Sequence, residues 1–217
     1  MVLRCPVSIV GAGRTDSGVN ARVMYAHFDH GMPLPDKGRL LVSLNRLVGR
    51  DIAIHDIFPV PYDTHARFDA IERTYKYFVT FEKTPFLYPF SWFCPNRLDM
   101  EMMNKAADIL VETEDFTSFA KLHSDAKTNI CHVTNAQWTL ENDNLAVFSI
   151  TADRFLRNMV RAVVGTLVEV GRGKMSIDDF KSVILRKDRC AAGQSMPGEA
   201  LFLWDVKYNF DCSTFNF

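Results

Sequence analysis

A carboxylate and a guanidinium two residues apart lie among glycines in the stretch Gly11-Ala12-Gly13-Arg14-Thr15-Asp16-Ser17-Gly18-Val19. Glycine tolerates backbone conformations closed to other residues and lets a ligand approach the chain closely. Arg14 and Asp16 are therefore candidates for a reactive loop, or for an Arg–Asp pair that only pins a turn; spacing alone leaves both open. A phosphate loop is excluded, because neither G-x-x-x-x-G-K-[ST] nor a helix-opening G-x-G-x-x-G is present. A second set follows much later. Arg154, Arg157 or Asn158, and Arg161 recur at three- and four-residue spacing, opposite the apolar Leu156, Val160, Val163 and Leu167. Such a face is either a solvated basic stripe or part of a site. Gly165, one turn beyond Arg161, leaves room for a neighbouring backbone or a substrate. Tyr75 and Tyr77 share one side of a β-rich segment, where packing into a core is the common fate of an aromatic. The five cysteines, Cys5, Cys94, Cys131, Cys190 and Cys212, are scattered without a C-x-x-C pair. A zinc site needs about four ligands at tight spacing, so reduced thiols and no metal are expected.

These residues need elements to hold them. Val7 and Ile9 alternate with polar neighbours and lead as a strand into the glycine loop, and residues 23–28 read as a second strand. Leu40, Leu41, Leu44, Leu47 and Val48 have helical spacing within 36–48. Residues 52–58 read as a strand ended by Pro59 and Pro61, and 67–81 as a long aromatic and β-branched strand. Three prolines and several aromatics make 84–95 an ordered connection. Residues 100–111 form a helix with Met103, Ala106, Ala107, Leu110 and Val111 on one face. Residues 133–140 and 145–150 bracket Glu141-Asn142-Asp143-Asn144 as a hairpin. A long apolar helix is predicted over 155–170. Ser176 with Asp179 resembles a capping box opening a helix to about 186, and 200–208 closes as a strand. Hairpins mixed with helices indicate an α+β fold rather than a doubly wound parallel sheet.

The chain has 217 residues, 47% hydrophobic and 24% charged, with 17 Phe to fill a sizeable core. Its apolar runs are too short for a membrane span and its start lacks a secretory leader, which suggests a cytoplasmic protein. The net charge of −1 gives no global basic field. Any nucleic-acid binding must gather positive charge locally.

The glycine loop, continued through Asn20-Ala21, resembles G-[AS]-G-R-T-D-x-G-V-H-A of the TruA-type tRNA pseudouridine synthases, with Asn20 where that family usually has His. Arg73-Thr74-Tyr75-Lys76-Tyr77 is similar to the family's R-x-Y-x-Y strand. Phe155-Leu156-Arg157-Asn158-Met159-Val160-Arg161, with Gly165-Thr166-Leu167, resembles its F-x-x-x-M-V-R-x-x-x-G-x-L helix. Asp115-Phe116-Thr117-Ser118-Phe119 also matches a recurrent family segment. The matches keep their order and cover nearly the whole chain.

The resemblance implies a pseudouridine-synthase fold: two ferredoxin-like or RRM-like halves, here 1–82 and 83–217, with mainly antiparallel sheet flanked by helices. It implies an isomerase that turns uridine into pseudouridine in the tRNA anticodon stem–loop, around positions 38 to 40, as a homodimer without cofactor. Asp16 would be the catalytic carboxylate and Arg161 its counter-ion, since a nearby cation favours the charged form of a desolvated acid. Tyr75 would pack against the target uracil and is a candidate for proton transfer from C5. Arg14, Arg22, Arg73, Arg154 and Arg157 are candidate RNA contacts. The base must be extruded to reach Asp16.

Family members usually open with about 45 further residues that contribute a strand and helix, so the N-terminal half is expected to be incomplete, with an exposed sheet edge. A non-catalytic fragment that keeps RNA binding or dimerisation is the competing reading. A third makes Asp16 a phosphoryl or glycosyl acceptor. It requires a metal-binding acidic cluster or a second carboxylate nearby, and Glu72 is the only acid inside another matched motif.

Overall fold

The apolar patterns become twelve regular elements among the residues that the computed structural model describes, 3, 5–34, 36–122 and 127–210. In chain order these are β1 (Val10–Gly11), β2 (Asn20–Ala21), β3 (Ala26–His27), α1 (Lys37–Leu47), β4 (Ala70–Thr80) and β5 (Trp92–Phe93). Then come α2 (Met100–Val111), β6 (Val133–Asn142), β7 (Leu145–Ala152), α3 (Met159–Gly171), α4 (Ile177–Arg186) and β8 (Leu201–Tyr208). Cys212 lies outside the described residues; Cys94 and Cys131 are buried free thiols and Cys190 is an exposed one.

The chain divides into two units. One lies within Met1–Gly13, Tyr25–Ala70 and Tyr208–Phe217, the other within Arg14–Met24 and Ile71–Lys207. In the first, β1 pairs antiparallel with β3, and the two strands are shorter than their sequence patterns. The Asp36 carboxylate caps α1 by accepting from the Arg39 N–H at 2.9 Å, as N-terminal amides without helical partners require. The strand expected at 52–58 does not form. Its backbone finds another partner: the Ile54 N–H donates to Asn45 Oδ1 at 2.9 Å, and Asn45 Nδ2 donates back to the Ile54 carbonyl at 2.8 Å. One side-chain amide, with its donor and acceptor side by side, stands in for a neighbouring strand.

The second unit holds a six-stranded sheet in the order β2-β8-β4-β7-β6, with β5 beside β4. The long ladders are antiparallel, β4 on β7 from Arg73↔Ala152 to Thr80↔Leu145, and β7 on β6. The two-residue pairings of β2 with β8 and of β5 with β4 are parallel. Strand alternation turns Tyr77, Val79, Phe148 and Ile150 into the core. There they meet Met103, Ala106, Ala107 and Leu110 of α2 and most of α3. Val111, expected on that face, is exposed at the helix end. The capping box of α4 forms as the sequence indicates, with Ser176 and Asp179 satisfying each other's amides. No helix among the described residues is long and apolar enough to cross a membrane.

The helix expected from 155 starts instead at Met159. Asn158 takes a left-handed conformation, φ +67°, which Asn tolerates better than most residues and which breaks the helical path. Arg154 and Arg157 therefore precede α3 rather than share a helical face with Arg161. That break aims Arg157 and Arg161 at one place.

Candidate active site

The second unit contains an open cleft lined by Arg14, Asp16, Tyr75, Arg157, Arg161 and the apolar Val19, Phe155 and Leu201, among others. Each polar group arrives by a distinct local device. Asp16 opens a tight turn in which the Val19 N–H donates to the Asp16 carbonyl at 3.2 Å. Gly18 sits inside that turn at φ +81°, where a residue with a Cβ is strained, and an added Cβ would also meet Glu199 Oε1 at 2.8 Å. Of the glycines at 11, 13 and 18, only Gly18 has the positive φ. Asn20, the departure from the family loop, donates through Nδ2 to the Glu199 carbonyl at 2.7 Å and ties the loop's far end to the start of β8.

Arg161, in the first turn of α3, donates through Nη1 to Asp16 Oδ2 at 3.2 Å and through Nε to the Met196 carbonyl at 2.5 Å. Arg157 Nε stands 3.9 Å from Asp16 Oδ1. The two ion pairs are unequal: Arg161 and Asp16 side chains are about one-fifth exposed, Arg157 nearly two-thirds. Screening by water leaves the outer pair little net strength, so Arg161 is the principal counter-ion. Tyr75, on β4, meets Phe155 edge to face with ring centroids 5.1 Å apart. Burial pushes its hydroxyl up to about 12, the positive Arg73 opposing and the negative Asp16 adding to the rise. At neutral pH the phenol keeps its proton. Tyr77, two residues on, is wholly buried, with its hydroxyl unpartnered among the described residues. Of the two tyrosines, Tyr75 lines the cleft and Tyr77 does not.

The structure thus brings Arg14, Asp16, Tyr75, Arg157 and Arg161 together and leaves three other candidates outside the lining. Arg22 lies over the Trp204 ring, 4.6 Å from its centroid, with Lys76 4.5 Å from the same centroid. Arg73 donates to the Asp153 carbonyl at 2.8 Å, and Arg154 does not reach the cleft wall. Three guanidinium-bearing residues against one carboxylate make the lining locally positive in a chain of net charge −1. Asp16 is the sole carboxylate among the described lining residues. Glu72 is engaged elsewhere, 2.8 Å from Lys207 Nζ, a contact that lowers its pKa. No group of three or more His, Cys, Asp or Glu able to hold a metal occurs among the described residues. Among the described lining residues, the acceptor reading of Asp16 therefore finds no second acid. Sequence reasoning missed the Met196 carbonyl; a backbone acceptor on Arg161 leaves no trace in residue type.

A family model described as tRNA pseudouridine synthase matches residues 106–209. The tRNA pseudouridine synthase A of Parabacteroides distasonis is 58% identical over 208 residues, spanning 96% of this chain and 82% of that protein. That of Bacteroides fragilis is 54% identical over 207 residues, 95% of this chain and 82% of the relative. In the more distant Bacillus subtilis protein of the same name, identity is 39% over 209 residues, with 94% and 82% covered.

Proposed function

The chain belongs to the tRNA pseudouridine synthase A family, and from that premise we propose that it isomerises uridine to pseudouridine at positions 38 to 40 of the tRNA anticodon stem–loop, with Asp16 as nucleophile. One observation carries the reading: a single carboxylate, held by Arg161 at 3.2 Å, faces a cleft that Tyr75 also lines. The reaction breaks the N1–C1′ glycosidic bond and forms C1′–C5. The proton on C5 is lost and N1 gains one, so atoms and electrons balance without a cofactor. Ordinary glycoside hydrolysis uses two carboxylates, one of which activates water or protonates a group that departs. Here the uracil is retained, and one carboxylate suffices.

The apolar lining of Val19, Phe155 and Leu201 suits an extruded base, and Tyr75 supplies a flat aromatic flank. Its phenol is protonated at neutral pH, so any part in C5 proton transfer runs through the neutral hydroxyl rather than a standing phenolate. The exposed Arg14 and Arg157 supply phosphate contacts, which makes affinity salt-dependent. Phe86, Tyr88 and Phe90, 97%, 79% and 49% exposed, form the kind of apolar surface that marks an interface; we assign it to a second copy of the chain. Incubation with an unmodified tRNA transcript, followed by carbodiimide derivatisation and primer extension, should give stops at positions 38 to 40. Pseudouridine elsewhere, or none, would contradict the site assignment.

A further inference from the structure

Arg161 is useful to Asp16 only if its guanidinium is aimed, and α3 alone does not aim it. The aim comes from a strap of chain, residues 193–198, laid across the start of α3. Met196 uses both of its backbone groups on Arg161: its N–H donates to the Arg161 carbonyl at 3.1 Å, and its carbonyl accepts Arg161 Nε at 2.5 Å. With Nε fixed in this way, the Nη1 edge is left to face Asp16.

The strap is itself pinned at several points. The Gly193 N–H donates to Thr166 Oγ1 at 2.9 Å, and Arg189 Nη1 donates to the Gly193 carbonyl at 3.1 Å. Gly198 lies against the Asp16 loop so closely that a Cβ there would come within 2.6 Å of the Ser17 carbonyl oxygen. The one side-chain anchor next to Met196 is Ser195. Its Oγ accepts from Asn158 Nδ2 at 2.6 Å and from Arg189 Nη2 at 2.7 Å. Asn158 occupies the N-cap position of α3, yet its side chain makes no capping bond. That side chain is spent on Ser195 instead. Both lone pairs of the serine oxygen are occupied, which locks the residue before Met196 to the left-handed turn that carries Arg157 and starts α3.

We propose that Ser195 is a positioning residue for the isomerisation: by anchoring the strap to Asn158 and Arg189, it holds the Met196 carbonyl where it aligns Arg161 with Asp16. The inference rests on the reading of Asp16 and Arg161 given above. Ser195 touches neither substrate nor Asp16, and its effect passes through Arg161.

The test uses the full chain as wild type, three single variants and one double variant. In ¹⁵N-labelled protein, the Arg161 Nε–Hε resonance, assigned by its loss in Arg161→Lys, should exchange with water about tenfold faster in Ser195→Ala, and at the wild-type rate in Ser195→Thr, which keeps the acceptor. In tritium release from C5-labelled tRNA, Ser195→Ala should lower kcat about tenfold with KM unchanged, and Ser195→Thr should restore it. Added to Arg161→Lys, which already removes Nε, Ser195→Ala should cost nothing more, as expected for coupled residues. Wild-type exchange in Ser195→Ala, a change confined to KM, or additive losses in the double variant would each overturn the proposal. A wild-type chain that releases no tritium would count against the proposed function, and the exchange rates would then decide the positioning claim by themselves.

Discussion

Replacing Gly165 with Ala tests whether the strap and α3 meet as closely as the structure shows. A Cβ at this position would fall deep inside the radius of the Gln194 carbonyl oxygen and 3.0 Å from its carbonyl carbon. Both are backbone atoms, so no side-chain rotation relieves the clash. The strap must retreat from α3 by on the order of 1 Å to restore contact distance. That movement stretches the Gly193–Thr166 bond of 2.9 Å and the Met196–Arg161 pair, worth about 1 kcal/mol each. Overpacking adds roughly 1–3 kcal/mol. Against this, Ala in place of Gly in a helix gains about 1 kcal/mol. The net loss is about 2–4 kcal/mol, which lowers the melting temperature by roughly 4–16 °C in a chain of this size. Differential scanning calorimetry of wild type and Gly165→Ala reads the shift directly. Gly171→Ala is the comparison on the same helix. There an added Cβ meets mainly the flexible Met103 side chain, and the cost should be smaller. If Gly165→Ala melts at or above the wild-type temperature, the close approach of strap and helix is wrong.

Three further outcomes follow from the same geometry. Arg161→Met leaves Asp16 only the outer, largely exposed Arg157 at 3.9 Å; losing a charge-assisted bond of about 1.5–3 kcal/mol should lower single-turnover tritium release roughly 10- to 150-fold, and a loss under threefold would refute Arg161's role. The Tyr75 hydroxyl, raised from 10.0 to about 12, contributes stability that is complete below pH 10 and fades as pH rises toward 12, because the unfolded chain releases its proton first. Urea midpoints should show wild type losing about 1.4 kcal/mol more than Tyr75→Phe between pH 9 and 11, and parallel losses would contradict the burial argument. Iodoacetamide should label the exposed Cys190 in the native protein and spare buried Cys131, whose thiol burial pushes up to about 12; native labelling of Cys131, read by peptide mass mapping, would refute its burial.

Much of the second unit is legible in the sequence because single elements carry strong local signals. The α2 face of Met103, Ala106, Ala107 and Leu110, the Ser176–Asp179 capping box and the hairpin turn between β6 and β7 all appear as their residue patterns indicate. Gly165 signalled a close approach, and the approaching group is backbone. What stayed hidden was set by partners remote in sequence. Residues 52–58 have a strand's composition, but strands need a ladder, and the Asn45 amide supplies the pairing instead. Periodicity ran α3 back to 155 because it cannot register one left-handed residue, Asn158. Arg22 reads as an RNA contact by type and position, whereas its guanidinium lies over Trp204, 182 residues away in sequence. The strap of 193–198 leaves no signal in residue type, since its work on Arg161 is done by backbone groups.

Asp16 carries the proposed chemistry, and one measurement reaches it directly: single-turnover tritium release from C5-labelled uridine in tRNA by wild type and Asp16→Ala, with tRNA binding measured in parallel. Binding should survive in the variant, because Arg14 and Arg157 remain to meet phosphate, while release of tritium should be lost. Wild-type-like release by Asp16→Ala would contradict the assignment of the chemistry to this carboxylate.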